Sequence, residues 1–332
     1  MKAFEVYCVS GLKVRSSVAF PELRIVNEDV VECFFDLLPE QTSCPVRYDW
    51  FHHWEFPNGE RWLSLAKRDD QYILRFQRLA DFLVSSKGNE IACRPQPQTP
   101  LDTVRHLFLD QVVPLVLNLR GTEALHASAV LTPYGACAFI GQTGRGKSTL
   151  ASSFLNCGST PLSDDCLALE ERAGHILAVP SYAGLRLWSD TASTLVDDAE
   201  SLSAVAHYTE KKRINFHVQE IQEPVPLKAI YILTPPIEQI QEPPHEVKID
   251  IEPLGFSRAF QELLQCVFRL DVTDSVMLSR QFLFLHRLLS AVPVLSLGYP
   301  RDYTSLPGVR EAILHHLKKT SQEGINSNES NY

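Results

Sequence analysis

What this 332-residue chain lacks narrows its function first. It has no excess of basic charge: 31 Lys and Arg against 40 Asp and Glu leave a net charge of -9. That is the wrong sign for tracking a phosphate backbone, so no nucleic-acid partner is expected. An acidic surface is equally unsuited to an anionic membrane. No apolar run approaches the roughly 18 residues that cross a bilayer. The stretch 112–119 is apolar, but it is short and holds Pro114 and Asn118. Met1-Lys2-Ala3-Phe4-Glu5 lacks the apolar core of an export signal, and a cytoplasmic setting is expected. None of the eight cysteines falls in a C-x-x-C pair. Free thiols in a reducing compartment therefore fit better than a disulfide frame or a structural zinc site. Internal repeats and long low-complexity tracts are missing too.

What is present reads as two different halves, and the length suits two domains. Residues 1–100 show short strand patterns at 6–9, 12–16, 30–35, 61–66 and 72–76. Lys87-Gly88-Asn89 marks a hairpin joining 82–84 to 90–92. This half is expected to be a β-rich substrate or regulatory domain. Arg94-Pro95-Gln96-Pro97-Gln98-Thr99-Pro100 is expected to be an irregular linker, because alternate prolines remove donors. Val104, Leu107, Phe108, Val112 and Leu115 then fall at helical spacing, giving a connecting helix over 101–120.

From Gly121 strands and helices alternate, which predicts an α/β core over 121–320. Strands are expected at 127–131, 136–140, 167–169, 176–179, 214–216, 229–233 and 294–297. Helices are expected at 147–156, 257–269, 275–289 and 308–319. Residues 321–332 are polar and aperiodic, and read as a disordered tail.

One segment carries strong chemistry. Gly141-Gln142-Thr143-Gly144-Arg145-Gly146-Lys147-Ser148 fits G-x-x-x-x-G-K-[ST] in full, between an apolar strand and a helix. Glycines let a backbone wrap closely around phosphate oxygens. Inward N–H groups and the helix start would hold a β-phosphate. Lys147 would reach the β- and γ-phosphates, and the Ser148 hydroxyl would ligate Mg2+. Thr149 completes the candidate nucleotide-binding segment as a helix residue.

Downstream lies Ser163-Asp164-Asp165. A P-loop enzyme needs a carboxylate beside the metal, and a kinase needs one beside the attacking hydroxyl. Adjacent carboxylates on a regular strand point to opposite faces, so this pair can serve both only if the strand breaks there. His126 precedes the strand at 127–131; by itself, it suits a structural role better than a functional one. Lys211-Lys212-Arg213 is the best cationic cluster of the second half, to offset charge on a transferred phosphate. His52-His53 and His315-His316 are adjacent pairs, and adjacent residues rarely face one metal.

Leu125-His126-Ala127-Ser128, the Gly141–Ser148 segment and Leu162-Ser163-Asp164-Asp165 occur in that order at short spacing. This resembles the catalytic domain of HPr kinase/phosphorylase, a bacterial serine kinase related to phosphoenolpyruvate carboxykinase. The HPr kinase-like proteins of bacterial biosynthetic clusters, including lasso-peptide kinases, are more similar still. The stretches 11–16, 20–23, 181–188 and 293–306 look like that subgroup. The resemblance implies a P-loop kinase core using ATP and Mg2+. It implies that Asp164 takes the proton of the substrate serine and that Asp165 holds the metal or His126, with the two roles exchangeable. It raises His126 to a catalytic candidate and makes Lys211 or Arg213 the cation beside the phosphate. It also allows a homo-oligomer. Thr149 stands where an acidic residue is usual, and a glycine-rich segment linked to dephosphorylation is missing, so reverse phosphorylase activity is not expected. The N-terminal half does not resemble that of HPr kinase, so HPr itself is not the expected acceptor.

The expectation is therefore a Mg-ATP-dependent kinase acting on a serine of a peptide or protein, for instance a lasso-peptide precursor. Its rivals are a small-molecule kinase, acting for example on free serine, and a non-catalytic nucleotide-sensing or peptide-binding module. Phosphoenolpyruvate carboxykinase activity is not expected of so short a chain.

Overall fold

A computed structural model describes residues 4–27, 30–40, 47–56, 58–181, 184–188, 191, 193–194, 204–207, 209–215, 221–235, 248–269 and 271–329. Met1, Lys2, Ala3, Cys44, Tyr182, Ala183, Phe216 and residues 330–332, which figure in the sequence reading, lie outside the described residues. The molecule is mixed α/β, with a β-rich N-terminal sheet and a second, mixed sheet. The chain forms two compact units. The first comprises 1–124, 203–211 and 268–281; the second comprises 125–202, 212–267 and 282–332. Among the described residues no helix is long and apolar enough to cross a membrane.

The first unit is built on nine strands: β1 (Glu5–Val9), β2 (Leu12–Ser16), β3 (Arg24–Ile25), β4 (Cys33–Leu37), β5 (Trp50–Glu55), β6 (Arg61–Arg68), β7 (Gln71–Phe76), β8 (Ala80–Ser85) and β9 (Glu90–Pro95). Their order is β3-β1-β2-β4-β9-β8-β7-β6-β5. Ser10 and Gly11, at φ 49° and 78°, fold β1 onto β2, with Val9 opposite Leu12. Two left-handed central residues give the turn a twist that matches the strands. β5 to β9 form an antiparallel meander, while β4 lies parallel to both neighbours.

Two sequence expectations fail here. β9 continues to Pro95, opposite Ala80, so the proline-rich stretch starts inside the sheet. A proline at a strand's end forfeits only one ladder donor. The segment 101–120 is not one regular helix either. α1 (Leu101–Leu107) and α2 (Val113–Leu119) flank a π-helical turn, Phe108–Val112. Pro114 has no N–H to give the preceding turn, and the wider turn absorbs that loss. Phe108 stacks on Phe35 at 4.3 Å and tilts against Phe20 at 5.2 Å. This segment is thus part of the first unit's core.

The remaining strands are β10 (Glu123–Leu125), β11 (Ala127–Thr132), β12 (Gly135–Ile140), β13 (Thr160–Ser163), β14 (Leu167–Arg172), β15 (His175–Val179), β16 (Gly184–Leu187), β17 (Lys212–Asn215), β18 (Val225–Leu233), β19 (Asp250–Pro253) and β20 (Val294–Gly298). The helices are α3 (Lys147–Ser153), α4 (Phe256–Cys266), α5 (Ser275–Ala291) and α6 (Leu306–Glu329). In the second unit β18 is central, parallel to β12 on one side and to β20 on the other. Successive strand residues serve opposite faces. Ala129, Ala138 and Ile230 join Leu263, Leu285 and Leu288 in one core. Val130, Phe139 and Tyr231 join Leu150, Phe154, Val309 and Ile313 in the other. Helices α4 and α5 therefore cover one face, and α3 and α6 the other. α6 reaches Glu329, through most of the segment read as a disordered tail. Extending a formed helix fixes one residue per hydrogen bond gained, and no proline stops it.

Candidate functional site

The Gly141–Ser148 segment connects β12 to α3. Gly141, Gly144 and Gly146 stand at φ 151°, 82° and 88°. At Gly141 an added Cβ would lie 3.3 Å from the Leu233 carbonyl oxygen, so both backbone angle and space call for glycine. Gln142, Thr143 and Gly144 are exposed at the tip, and Arg145 and Gly146 are half-buried. The Arg145 amide donates to the Gln142 carbonyl at 3.1 Å, closing the tip. Lys147 is buried, and its Nζ donates back to the Gly141 carbonyl at 3.0 Å. An ammonium buckled across its own loop is held where it can exchange that carbonyl for a stronger anionic acceptor. Thr149 lies in the first turn of α3, where its carbonyl accepts from Ser152 Oγ at 2.7 Å.

β13 ends at Ser163, and the strand breaks in the way the Asp pair requires. Asp165 has φ 65°, the left-handed region. Asp can enter that region because its short polar side chain can bond locally. The kink turns both carboxylates toward one cluster. Asp164 is 3% exposed. Its Oδ1 accepts from Ser128 Oγ at 2.6 Å and from Ser148 Oγ at 2.9 Å. Its Oδ2 accepts from the Arg186 amide at 2.9 Å. Burial pushes this carboxyl above the usual carboxylate range, and the Asp165 charge adds to the rise. Arg186 and the hydrogen bonds oppose it.

Asp165 is the more open of the two. Its Oδ2 accepts from Arg186 Nη1 at 3.0 Å. Its backbone carbonyl lies 3.1 Å from His126 Nδ1, and its Oδ1 lies 4.0 Å from His126 Nε2. A carbonyl only accepts, so Nδ1 carries the proton and a neutral ring presents Nε2 as an acceptor. Burial holds the imidazole below its ordinary value, favouring that neutral form. Asp165 pulls the other way, and the nearby Lys147 charge adds to the depression.

The structure thus brings together His126, Lys147, Ser148, Asp164 and Asp165. Arg213 sits on β17 directly opposite Arg186 on β16, and is buried. Lys211 falls in the first unit. The adjacent histidine pairs make structural bonds: His53 Nδ1 meets Ser64 Oγ at 2.8 Å, and His316 Nδ1 meets the Tyr231 hydroxyl at 2.8 Å.

Sequence reasoning missed two members. Ser128 is the second residue of β11, and a polar side chain buried in an apolar strand was the available signal. Arg186 is a cation within the apolar run Gly184–Leu187 and has one of the largest fully buried side chains. A charge in such a run is rare unless it is paired, which was a signal too.

Among the described residues no group of three or more His, Cys, Asp or Glu side chains could hold a metal alone. The Ser148 hydroxyl and Asp164 carboxylate are hard oxygen donors in contact with each other. That set fits Mg2+, which takes one or two protein oxygens and leaves its other positions to water and phosphate.

No family model and no curated protein matches this chain. Among solved structures, the Hpr(Ser) kinase/phosphatase from Coxiella burnetii is similar at 12% sequence identity and a TM-score of 0.32. The likeness covers 63% of this chain and 98% of that one. At these values it is a distant structural similarity.

Proposed function

We propose that this chain is a Mg-ATP-dependent kinase that moves the γ-phosphate to a serine hydroxyl of a peptide or protein. The observation that carries the proposal is the Ser148–Asp164 hydrogen bond of 2.9 Å. It joins the last residue of a complete phosphate-loop pattern to a buried carboxylate from a different strand. A glycine turn with an accidental Lys-Ser would have no reason to recruit a carboxylate at that point.

In this reading Gly141 to Ser148 wrap the β-phosphate, and Lys147 leaves the Gly141 carbonyl for β- and γ-oxygens. Ser148 and Asp164 would hold Mg2+, which would offset the charge on the phosphate chain. Asp165, the more accessible carboxylate, accepts the proton of the attacking serine, with His126 beside it. The serine oxygen bonds to the γ-phosphorus as the bond to the β–γ bridging oxygen breaks, and ADP leaves. Arg186 keeps the Asp pair in place, and Arg213 adds positive charge next to it. This assignment takes the exchanged order of the two Asp roles, because the metal-type hydroxyl meets Asp164 and the open position belongs to Asp165.

The test incubates the full chain with Mg-ATP and serine-bearing peptides and follows added phosphate by mass spectrometry. A phosphoserine that disappears in Asp165→Asn supports the proposal. Phosphorylation of free serine in preference to peptide would move the acceptor to small molecules. ATP binding without any transfer would leave a nucleotide-sensing module.

A further inference from the structure

The parallel strands β12, β18 and β20 end at one edge of their sheet. Gly141 follows β12 there, Thr234 follows β18, and Tyr299-Pro300-Arg301-Asp302 follows β20. Ligands of open α/β sheets are taken up at the carboxyl ends of parallel strands. Arg301 lies along that edge. Its Nη2 donates to the Thr234 carbonyl at 2.8 Å, and its Cζ stands 3.9 Å from the centre of the Tyr299 ring. Tyr299 in turn reaches the glycine loop: its hydroxyl lies 3.8 Å from where a Cβ on Gly146 would be.

Two of the guanidinium nitrogens of Arg301, Nε and Nη1, are buried with no hydrogen-bond partner among the described residues. No described carboxylate forms an ion pair with it. The adjacent Asp302 is turned to its own chain: Oδ1 accepts from the Ser305 amide at 2.8 Å and Oδ2 from Ser305 Oγ at 2.8 Å. Burial weakens the hold of Arg301 on its proton and the like charge of Arg145 adds to this, while the Tyr299 hydroxyl works the other way through its charge and a hydrogen bond. A guanidinium nevertheless stays charged. A half-buried guanidinium with Nε and Nη1 buried and no carboxylate beside it costs stability, which Tyr299 offsets only in part. A fold with no use for the charge would be better served by Met at that position. Nη1 lies on the Cδ side of the guanidinium and the Nε–H points to the Nη2 side, so the two donors face different directions and each can meet a separate phosphate oxygen.

We infer that Arg301 is a phosphate-binding residue: its Nε and Nη1 hold oxygens of the polyphosphate of a nucleotide seated on the Gly141–Ser148 loop. The inference rests on the nucleotide reading above and adds to it a cation from outside the loop. It makes the site bipartite, with Lys147 on the loop after β12 and Arg301 beyond the end of β20, on the other side of β18.

Calorimetric titration of the full chain tests this, with Mg-ATP, adenosine and inorganic pyrophosphate as probes. The variants are Arg301→Met, which keeps the length and the stack on Tyr299, and Arg301→Lys, which keeps the charge but gathers its donors on one nitrogen. In Arg301→Met, affinity for Mg-ATP and pyrophosphate is expected to fall at least about tenfold, that for adenosine to stay, and the ligand-free Tm not to drop. Arg301→Lys is expected to fall between. Unchanged ATP and pyrophosphate affinity in Arg301→Met would overturn the inference and leave the kinase reading standing. A lowered Tm with equal losses for adenosine and ATP would make Arg301 a structural strut and also overturn it. Wild-type protein that binds pyrophosphate through Arg301 but no nucleotide would keep the anion contact and sink the kinase reading. Binding of neither would sink both.

Discussion

Buried charges are handled in opposite ways in the two units. In the first, Asp81 and Glu123 meet cations and Asp271 meets hydroxyl donors. Arg75 donates to both oxygens of Asp81 at 2.8 and 2.7 Å. Arg280 Nε donates to Glu123 at 3.0 Å, and Asn118 donates to the other Glu123 oxygen at 3.2 Å. Asp271 accepts from Tyr72 at 2.7 Å and from Thr273 at 2.6 Å. Burial pushes Asp271 up, but those hydrogen bonds outweigh it and hold the carboxyl below its ordinary value. In the second unit Arg186 pairs with Asp165 at 3.0 Å, yet like charges are also adjacent. Asp164 is pushed up beside Asp165, and Arg301 shares its edge with Arg145. Closed pairs serve the fold, whereas crowded like charges cost stability and mark a site that a ligand would complete.

The largest expected effect breaks a closed pair. Asp81→Ala leaves the guanidinium of Arg75 without its bidentate partner, and is expected to cost about 3–5 kcal/mol of stability. Urea unfolding checks it, and the double change Arg75→Met with Asp81→Leu should recover most of the loss. A cost under about 1 kcal/mol would show that the pairs of the first unit are no more important than surface salt bridges.

In the second unit the same kind of change is expected to act on turnover instead. Asp165→Asn should lower kcat by a factor of about 100 or more while the Kd for Mg-ATP stays within about twofold. Asp164→Asn should lower both kcat and the Mg2+-dependent part of ATP affinity. If the two variants lose ATP binding equally, the division of roles between metal and proton is wrong.

The loop and the Asp pair were legible because their chemistry is local. Gly141 to Ser148 is a contiguous pattern, and the demand for a strand break at Asp164-Asp165 came from the period of a strand alone. The φ of 65° at Asp165 meets that demand. Other features were not legible, for different physical reasons. β5, Trp50–Glu55, was missed because its residues are half-buried in turn with no alternation of apolar and polar positions. The two units interleave along the chain, and only tertiary packing decides that 203–211 and 268–281 belong with the first. Arg301 stands in a plain Pro-Arg-Asp run. Its meaning comes from Thr234 and Gly146, which are distant in sequence, and from the turn after β20 that lays it against Tyr299, so no local period could announce it.

A third prediction reverses the usual sign of a mutation. The raised carboxyl of Asp164 means that the folded protein binds its proton more tightly than the unfolded chain does. Its contribution to stability is therefore full below the ordinary value of 3.8 and is lost as pH rises through the folded value. At neutral pH the ionised group is a cost. Asp164→Asn removes the charge, while the hydroxyls of Ser128 and Ser148 can rotate to fit an amide. The ligand-free Tm at neutral pH is expected to rise by about 2–4 °C, together with the loss of turnover. A drop in Tm would place Asp164 with the closed, structural carboxylates of the first unit.

An effect of similar size concerns His126, beside Asp165, and its sign is opposite. Burial depresses its folded value below the ordinary 6.5, so the unfolded chain binds the proton more tightly. Stability from this group is full above 6.5 and is lost as pH falls from there through the depressed folded value. Asp164 and His126 thus tilt the stability curve in opposite directions within one site, and only the difference between proteins isolates either. His126→Gln keeps a neutral donor for the Asp165 carbonyl and removes the titration. Its Tm should fall about 2–4 °C less than that of the wild type between pH 7 and pH 5. Parallel curves would mean that His126 is already solvated enough to titrate normally, and Asp165 would then lack the neutral imidazole that the proposed proton transfer sets beside it.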